Sequence, residues 1–260
     1  MTTDIVLYDV QGGIATVTLN RPEVMHAVNR DLVRVLARRI EEIRFDPTIR
    51  VVVVTGAGAK AFCAGADLKE RATLTPGDVQ AFLFSLRRVL TEIERLPVPV
   101  IAAINGVALG GGLELALAAD IRLAADTAVM GLIETRLAII PGGGGTQRLP
   151  RLIGRGKAKE LIFTGKRFGS AEALAMGLVN QVYPQDRLQS ETLNMAAEIA
   201  QAGPIAVRQA KFAIDAGLES DLQTGLSIET QAYQACIPTE DRLEGLAAFR
   251  EKRKPVYKGR

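Results

Sequence analysis

Histidine and cysteine are the scarce residues of this chain. Its 260 residues include one His, His26, and two Cys, Cys63 and Cys236. A single imidazole excludes a His-rich metal site and any mechanism that relays protons between several imidazoles. Two thiols exclude a four-thiolate zinc site. Two Cys so far apart in a chain of this length read as reduced thiols in a reducing compartment. A membrane-spanning run is also missing. Such a run needs about 20 apolar residues, and the best stretch, Val98–Ala119, is broken by Pro99, Asn105, Gly106, Gly110–Gly112 and Glu114. The start, Met1-Thr-Thr-Asp-Ile5, lacks the basic and apolar regions of a secretory signal. A cytoplasmic protein with no membrane partner is expected.

Charge of one sign is scarce as well. Lys+Arg number 32 and Asp+Glu 29, a net +3, too balanced to announce a nucleic-acid binder. The last ten residues hold five Lys/Arg and one Glu, leaving 27 basic and 28 acidic groups in the other 250. The surplus is therefore a property of the tail. Arg30, Arg34 and Arg38 recur every four residues, with Arg39 and Arg44 beside them, and a basic stripe of this kind could bind RNA. Asp31, Glu41 and Glu42 dilute it, and such a row is usually a solvated face. Nucleic acid is not an expected partner.

What is present is the balance of a soluble globular protein, 48% hydrophobic and 23% charged. A strand is predicted at Ile14–Leu19 from alternating apolar residues. An amphipathic helix follows, about Asn29 to Phe45, with Leu32, Val33, Leu36, Ile40 and Ile43 on one face. Val51–Thr55 and Val100–Ile104 read as buried strands separated by a helix around Val79–Leu96. This β–α–β–α–β order predicts an α/β domain with largely parallel strands. Shorter units continue to a last strand near Val179–Tyr183, and from Asp186 onward the pattern is helical. Pro204 is placed to open one helix and Thr239 to cap another.

Three glycine-rich stretches bear on function. Thr55-Gly-Ala-Gly58 follows a strand, but the dinucleotide fingerprint's third glycine falls on Ala61 and no helix pattern starts there. No Gly-Lys-Ser/Thr triplet occurs, so a phosphate-binding P-loop is excluded. In Asn105–Leu117, a strand runs through three glycines into an apolar helix, whose free N–H groups suit developing negative charge. Glu114 lies in its first turn among Leu113, Leu115 and Ala116. A carboxylate in such company is costly unless solvated or used, and an exposed first-turn Glu facing the helix dipole is the alternative. Glu134 and Gly142–Gly145 form the third stretch, where a plain flexible loop competes with a ligand-binding one. Together the two acids could share a water, one taking its proton while the other donates one.

The blocks Ala61–Glu70, Pro99–Ala116, Ile139–Leu149, Ala171–Val179 and Arg242–Arg253 together resemble the crotonase, or enoyl-CoA hydratase, superfamily over essentially the whole chain. The resemblance implies an α/β fold, a right-handed spiral of ββα units with a C-terminal helical trimerisation layer. The change to a helical pattern places a boundary near 195–203, and with the resemblance this gives a core at residues 1–198 and a trimerisation region at 199–260. It implies oxyanion-hole amides at Ala66 and Gly111, paired catalytic acids at Glu114 and Glu134, and a water-positioning amide at Gly142. Coenzyme A contacts are implied at Ala64, Asp67 and Leu68, and from a neighbouring subunit at Tyr233 and Lys252. Syn hydration of a 2-trans-enoyl-CoA is the implied reaction, in fatty-acid or branched-chain acyl degradation. Glu114 is favoured as base and Glu134 as acid, although sequence does not fix that assignment. No metal and no cofactor are implied, coenzyme A being part of the substrate. The partners implied are an acyl-CoA and further copies of the chain, as a homotrimer or dimer of trimers. A closer likeness to 3-methylglutaconyl-CoA hydratases, some of which also bind AU-rich RNA, gives the alternative activity. His26 departs from the Asn or basic residue frequent in relatives and is given no catalytic role.

Overall fold

Hydrophobic periodicity decides the first elements of the structure, a computed structural model that describes residues 4–260. Met1–Thr3, part of the segment read above for a secretory signal, lie outside the described residues. Strand β1 (Val6–Gln11) turns through Gly12 and Gly13 into antiparallel β2 (Ile14–Leu19). Both glycines have positive φ, +57° and +80°, as a tight primed hairpin turn requires. Helix α1 (Arg30–Phe45) begins at Asn29, whose side chain accepts the Leu32 N–H at 2.9 Å. It buries Leu32, Val33, Leu36, Ile40 and Ile43, the face predicted from sequence. The cap contributes about 1 kcal/mol. Each buried aliphatic side chain contributes about 1.5–3 kcal/mol as an upper bound, so packing rather than capping holds the helix.

The chain then repeats a strand–strand–helix step. Strands β3 (Val51–Gly56) and β4 (Ala61–Cys63) lead to α2 (Leu68–Arg71) and α3 (Pro76–Glu94). Strands β5 (Val100–Ile104) and β6 (Val107–Leu109) lead to α4 (Gly111–Leu117). Strands β7 (Ile121–Ala125) and β8 (Val129–Gly131) lead to a 3-10 turn at Glu134–Leu137, then α5 (Gly145–Ile153) and α6 (Arg155–Thr164). The first strand of each pair joins one sheet and the second joins another. After β9 (Phe168–Gly169) and α7 (Ser170–Ala175), β10 (Gln181–Tyr183) completes a six-stranded sheet ordered β1-β2-β3-β5-β7-β10. The smaller sheet is ordered β4-β6-β8-β9. Among the described residues, only the β1–β2 and β8–β9 pairings are antiparallel. Every residue of β3 and β5 is buried, which explains sequences that are apolar but for Thr55, whose hydroxyl donates to the Ala103 carbonyl at 2.9 Å. The ββα spiral expected from the resemblance is thus present.

Helix α8 (Leu188–Ala200) packs against β2, β3, β5, β7 and β10. The last three helices behave differently. Helix α9 (Pro204–Leu218) buries no residue completely and packs mainly on α10 (Leu222–Cys236), and α11 (Glu240–Glu251) follows. Pro204 opens α9 and the Thr239 side chain caps α11, both as predicted. Leu218, Leu222 and Phe249 are 81%, 79% and 88% exposed. The tail is tied back by Arg50, which donates to the Ala200 and Tyr257 carbonyls, and by Asp241, which accepts from the Lys258 and Gly259 N–H groups.

Candidate active site

Three neighbouring parallel strands of the small sheet, β4, β6 and β8, end side by side. Crevices outside the carboxyl ends of parallel strands are where α/β folds place ligands. Here the strand ends deliver the Ala64–Asp67 loop, the start of α4 with Gly111 and Glu114, and the turn that begins at Glu134. The loop and the helix start approach closely. A Cβ on Gly65 would stand 3.6 Å from the Gly111 nitrogen, and one on Gly112 would stand 2.0 Å from the Cys63 carbonyl oxygen. Any side chain at position 112 would push the helix off the strand.

Ala66 makes an isolated parallel bridge with Val28 that uses the Gly65 carbonyl and the Asp67 N–H. That geometry turns the Ala66 N–H away from Val28. Gly111 is the first residue of α4, so its N–H has no partner within the helix. Ala64, Ala66, Leu68, Gly111, Glu114, Glu134 and Gly142 all line one cavity of about 90 Å³, closed by Phe82, Leu83, Leu86, Leu137, Ile139 and Ile140. Asp67 lies just outside it. The Asp67 side chain is committed to Arg21 at 3.1 Å and to the Lys69 and Glu70 N–H groups. Its own N–H donates to the Val28 carbonyl and its carbonyl accepts the Arg71 N–H, so it has no free donor to offer a ligand. Tyr233, on α10, and Lys252, at the end of α11, are exposed and do not line this cavity in one copy of the chain.

The two carboxyl groups differ. Glu114 is 2% exposed, and its Oε1 accepts the Gly143 N–H at 2.8 Å and the Gly145 N–H at 2.7 Å. Burial raises its pKa, while those amides and the nearby Arg148 pull it back. For Glu134, burial dominates and the charge of Glu114 adds to it, so its pKa is pushed up to about 7. Its Oε2 is buried without a hydrogen-bond partner. The four-glycine loop therefore does something the sequence left open: it turns two backbone donors onto Glu114. Arg148 fixes that loop, donating to the Gly143 carbonyl and forking onto Glu94 at 3.0 and 2.7 Å. Gly143, Gly145 and Arg148 were missed as site residues. The run of glycines beside a carboxylate was their only sequence signal.

His26 has a structural role. It is 1% exposed; its Nδ1 accepts the Arg21 N–H at 3.0 Å, so its Nε2 carries the proton and donates to the Ala57 carbonyl at 3.0 Å. Burial lowers its pKa and keeps it neutral. The Cys63 thiol is buried and pushed up to about 12, too high for a nucleophile. In the arginine row of α1, Arg30, Arg34, Arg39 and Arg44 pair with Glu70, Asp31, Glu42 and Glu92.

Two acids whose pKa values burial raises thus share one apolar cavity with the residues of two amides that have no hydrogen-bond partner among the described residues. The enoyl-CoA hydratase/isomerase family matches residues 9–260, and the chain belongs to that family. It is 56% identical over 257 residues to the Bacillus subtilis protein YngF, whose name carries the enoyl-CoA hydratase/isomerase designation, covering 98% of this chain and 99% of that one. It is 50% identical over 251 residues to human mitochondrial methylglutaconyl-CoA hydratase, covering 95% and 74%. The crystal structure of an enoyl-CoA hydratase from Bacillus anthracis superposes with a TM-score of 0.98 at 51% identity, covering 99% of this chain and 100% of that one.

Proposed function

We propose that this chain is an enoyl-CoA hydratase, a hydro-lyase that adds water across the double bond of 2-trans-enoyl-CoA thioesters. The observation that carries this reading is the single cavity lined by Glu114, Glu134 and the residues of both free amides, Ala66 and Gly111. The thioester oxygen sits between the Ala66 and Gly111 N–H groups, which stabilise it as it becomes an enolate. One such donor is worth on the order of 3–4 kcal/mol at the transition state. Glu114 takes a proton from water as the water oxygen bonds to C3, and Glu134 gives its proton to C2. The electron pair of the double bond passes through the enolate into the new C2–H bond. The Gly143 and Gly145 donors favour a charged Glu114, the state a base needs. The raised pKa of Glu134 favours the protonated state an acid needs. Gly142, on the cavity wall, helps hold the water.

The apolar side chains left bare on α9–α11 support assembly as a homotrimer or dimer of trimers, in which Tyr233 and Lys252 reach a neighbour's coenzyme A. The basic tail suits its phosphates. No helix of the described residues is long and apolar enough to cross a membrane, and we place the enzyme in the cytoplasm, in acyl degradation. A second reading, hydration of 3-methylglutaconyl-CoA, draws on the human relative's name. Steady-state hydration of crotonyl-CoA and 3-methylglutaconyl-CoA tests both. Turnover of either supports the hydratase, the larger kcat/KM chooses between them, and turnover of neither overturns it.

A further inference from the structure

Beyond the catalytic cavity lies a solvent-open cleft of about 950 Å³ that shares Arg71, Leu83, Ile139, Ile140 and Gly142 with it. An acyl chain that fills the first space continues past these residues into the second. Most charged groups around the passage are already paired. Asp67 holds Arg21, Glu70 holds Arg30, Arg148 holds Glu94 and Arg151 holds Glu219. Arg87 spends its guanidinium on the Gly142 carbonyl. Arg71 is the exception. Half-buried at the end of α2, it has no ion pair or side-chain hydrogen bond among the described residues, although it lines both spaces.

Its charge is felt at Glu134, whose ionised form it favours. The two are not hydrogen-bonded, and Glu134 Oε2 stays without a partner. A planar fork of donors left unused on a half-buried arginine is suited to a carboxylate, which it can grip with two parallel bonds. The apolar shared wall of Leu83, Ile139 and Ile140 suits the carbons that precede such a group.

We propose that Arg71 anchors the far carboxylate of the substrate, so that the preferred class is an enoyl thioester whose acyl chain ends in an acid. This rests on the hydratase reading for its chemistry, but not for its binding step. Arg71 sets specificity and does not touch the reacting atoms. It also offsets the repulsion a second carboxylate would meet from Glu114.

The full-length enzyme is assayed on glutaconyl-CoA and crotonyl-CoA, as wild type, Arg71→Met and Arg71→Lys. Calorimetry with the saturated pair glutaryl-CoA and butyryl-CoA measures binding without turnover. The wild type favours the carboxylated member of each pair. In Arg71→Met the ratio of kcat/KM for glutaconyl-CoA over crotonyl-CoA falls by about a hundredfold, the worth of one charge-assisted pair. The loss lies mainly in KM, and Arg71→Lys recovers part of it. Equal losses on both thioesters would mean that Arg71 serves the common coenzyme A or the fold, and would overturn the proposal. So would a wild type that binds butyryl-CoA as tightly as glutaryl-CoA. If neither enoyl thioester is hydrated but glutaryl-CoA is preferred through Arg71, the hydratase reading falls and the anchor stands.

Discussion

The start of α4 and the turn after β8 each contribute one glutamate to the same cavity, yet the chain holds the two in different ways. Glu114 is gripped: two amides from the glycine loop converge on one of its oxygens, and the loop is itself pinned by Arg148. Glu134 is left bare, with one oxygen buried and unpartnered. Burial raises the pKa of both; the glycine-loop amides and Arg148 pull Glu114 back, whereas the backbone amide of Glu134 itself and Arg71 offset burial too little to keep its pKa from about 7. Identical side chains are thus set apart by their surroundings: loop amides and Arg148 around Glu114, burial and the charge of Glu114 around Glu134. A chain with one His can divide acid from base this way, because the environment supplies the difference that a second residue type would otherwise supply.

The strongest way to break this comparison is to neutralise each acid in turn. Glu114→Gln and Glu134→Gln should each lower hydration of an enoyl thioester by about 10²–10⁴-fold, the usual contribution of a general acid or base. Circular dichroism should report an intact fold in both. Their pH profiles should separate them. With Glu134 as the acid, wild-type kcat falls as pH rises through about 7, where that carboxyl loses its proton. The residual activity of Glu134→Gln should lack this alkaline limb, and that of Glu114→Gln should keep it. If the limb survives in Glu134→Gln, the roles assigned here are reversed.

A smaller effect is expected from loosening the grip on Glu114 while keeping its carboxylate. A Cβ on Gly143 would stand 2.7 Å from Glu114 Oε2 and 2.9 Å from Leu90 Cδ1. Both lie within van der Waals contact, and Leu90 is packed in the core, so the carboxylate is the group that gives way. Gly143→Ala should cost on the order of tenfold to a hundredfold in kcat, the penalty of a displacement near 1 Å. Unchanged kcat would mean that the two amides do not position this carboxylate.

The parts of this arrangement that sequence shows are those carried by side-chain patterns. Helix α1 was legible to its five buried residues because a period of 3.6 over sixteen residues is hard to mistake. Strands β3 and β5 showed themselves as apolar runs. The small sheet that brings the site together did not, since β4, β6 and β8 have three residues each and β9 has two, too few to display a period of two. Strand β1 was missed because most of Leu7–Gln11 faces solvent and is patterned accordingly. Glu114 and Glu134 stood out as acids in apolar company beside glycines. The donors that distinguish them could not, because a backbone N–H has no residue type of its own. Arg71 was hidden for a different reason: in Leu68-Lys-Glu-Arg71 it looks like one more solvated charge, and only the structure leaves it without a partner beside a cavity.

The smallest predicted effect is thermodynamic and sharpens the comparison without any substrate. The Glu134 carboxyl ionises near 4.5 when unfolded and near 7 when folded. Between those values the unfolded chain has released a proton that the folded chain still holds. The folded state binds more protons, so stability falls as pH rises from about 4.5 to about 7 and levels off above. A shift of this size corresponds to about 3 kcal/mol at 1.36 kcal/mol per pKa unit. Water reaches part of the half-buried group, which reduces the figure to about 1–2 kcal/mol. Glu134→Gln removes the contribution, so its Tm should exceed that of the wild type above pH 7 and approach it near pH 4. At roughly 2–4 °C per kcal/mol for a chain of this size, scanning calorimetry at a series of pH values resolves the gap. Parallel Tm curves across that range would mean that Glu134 ionises like an exposed glutamate, and the contrast with Glu114 would disappear.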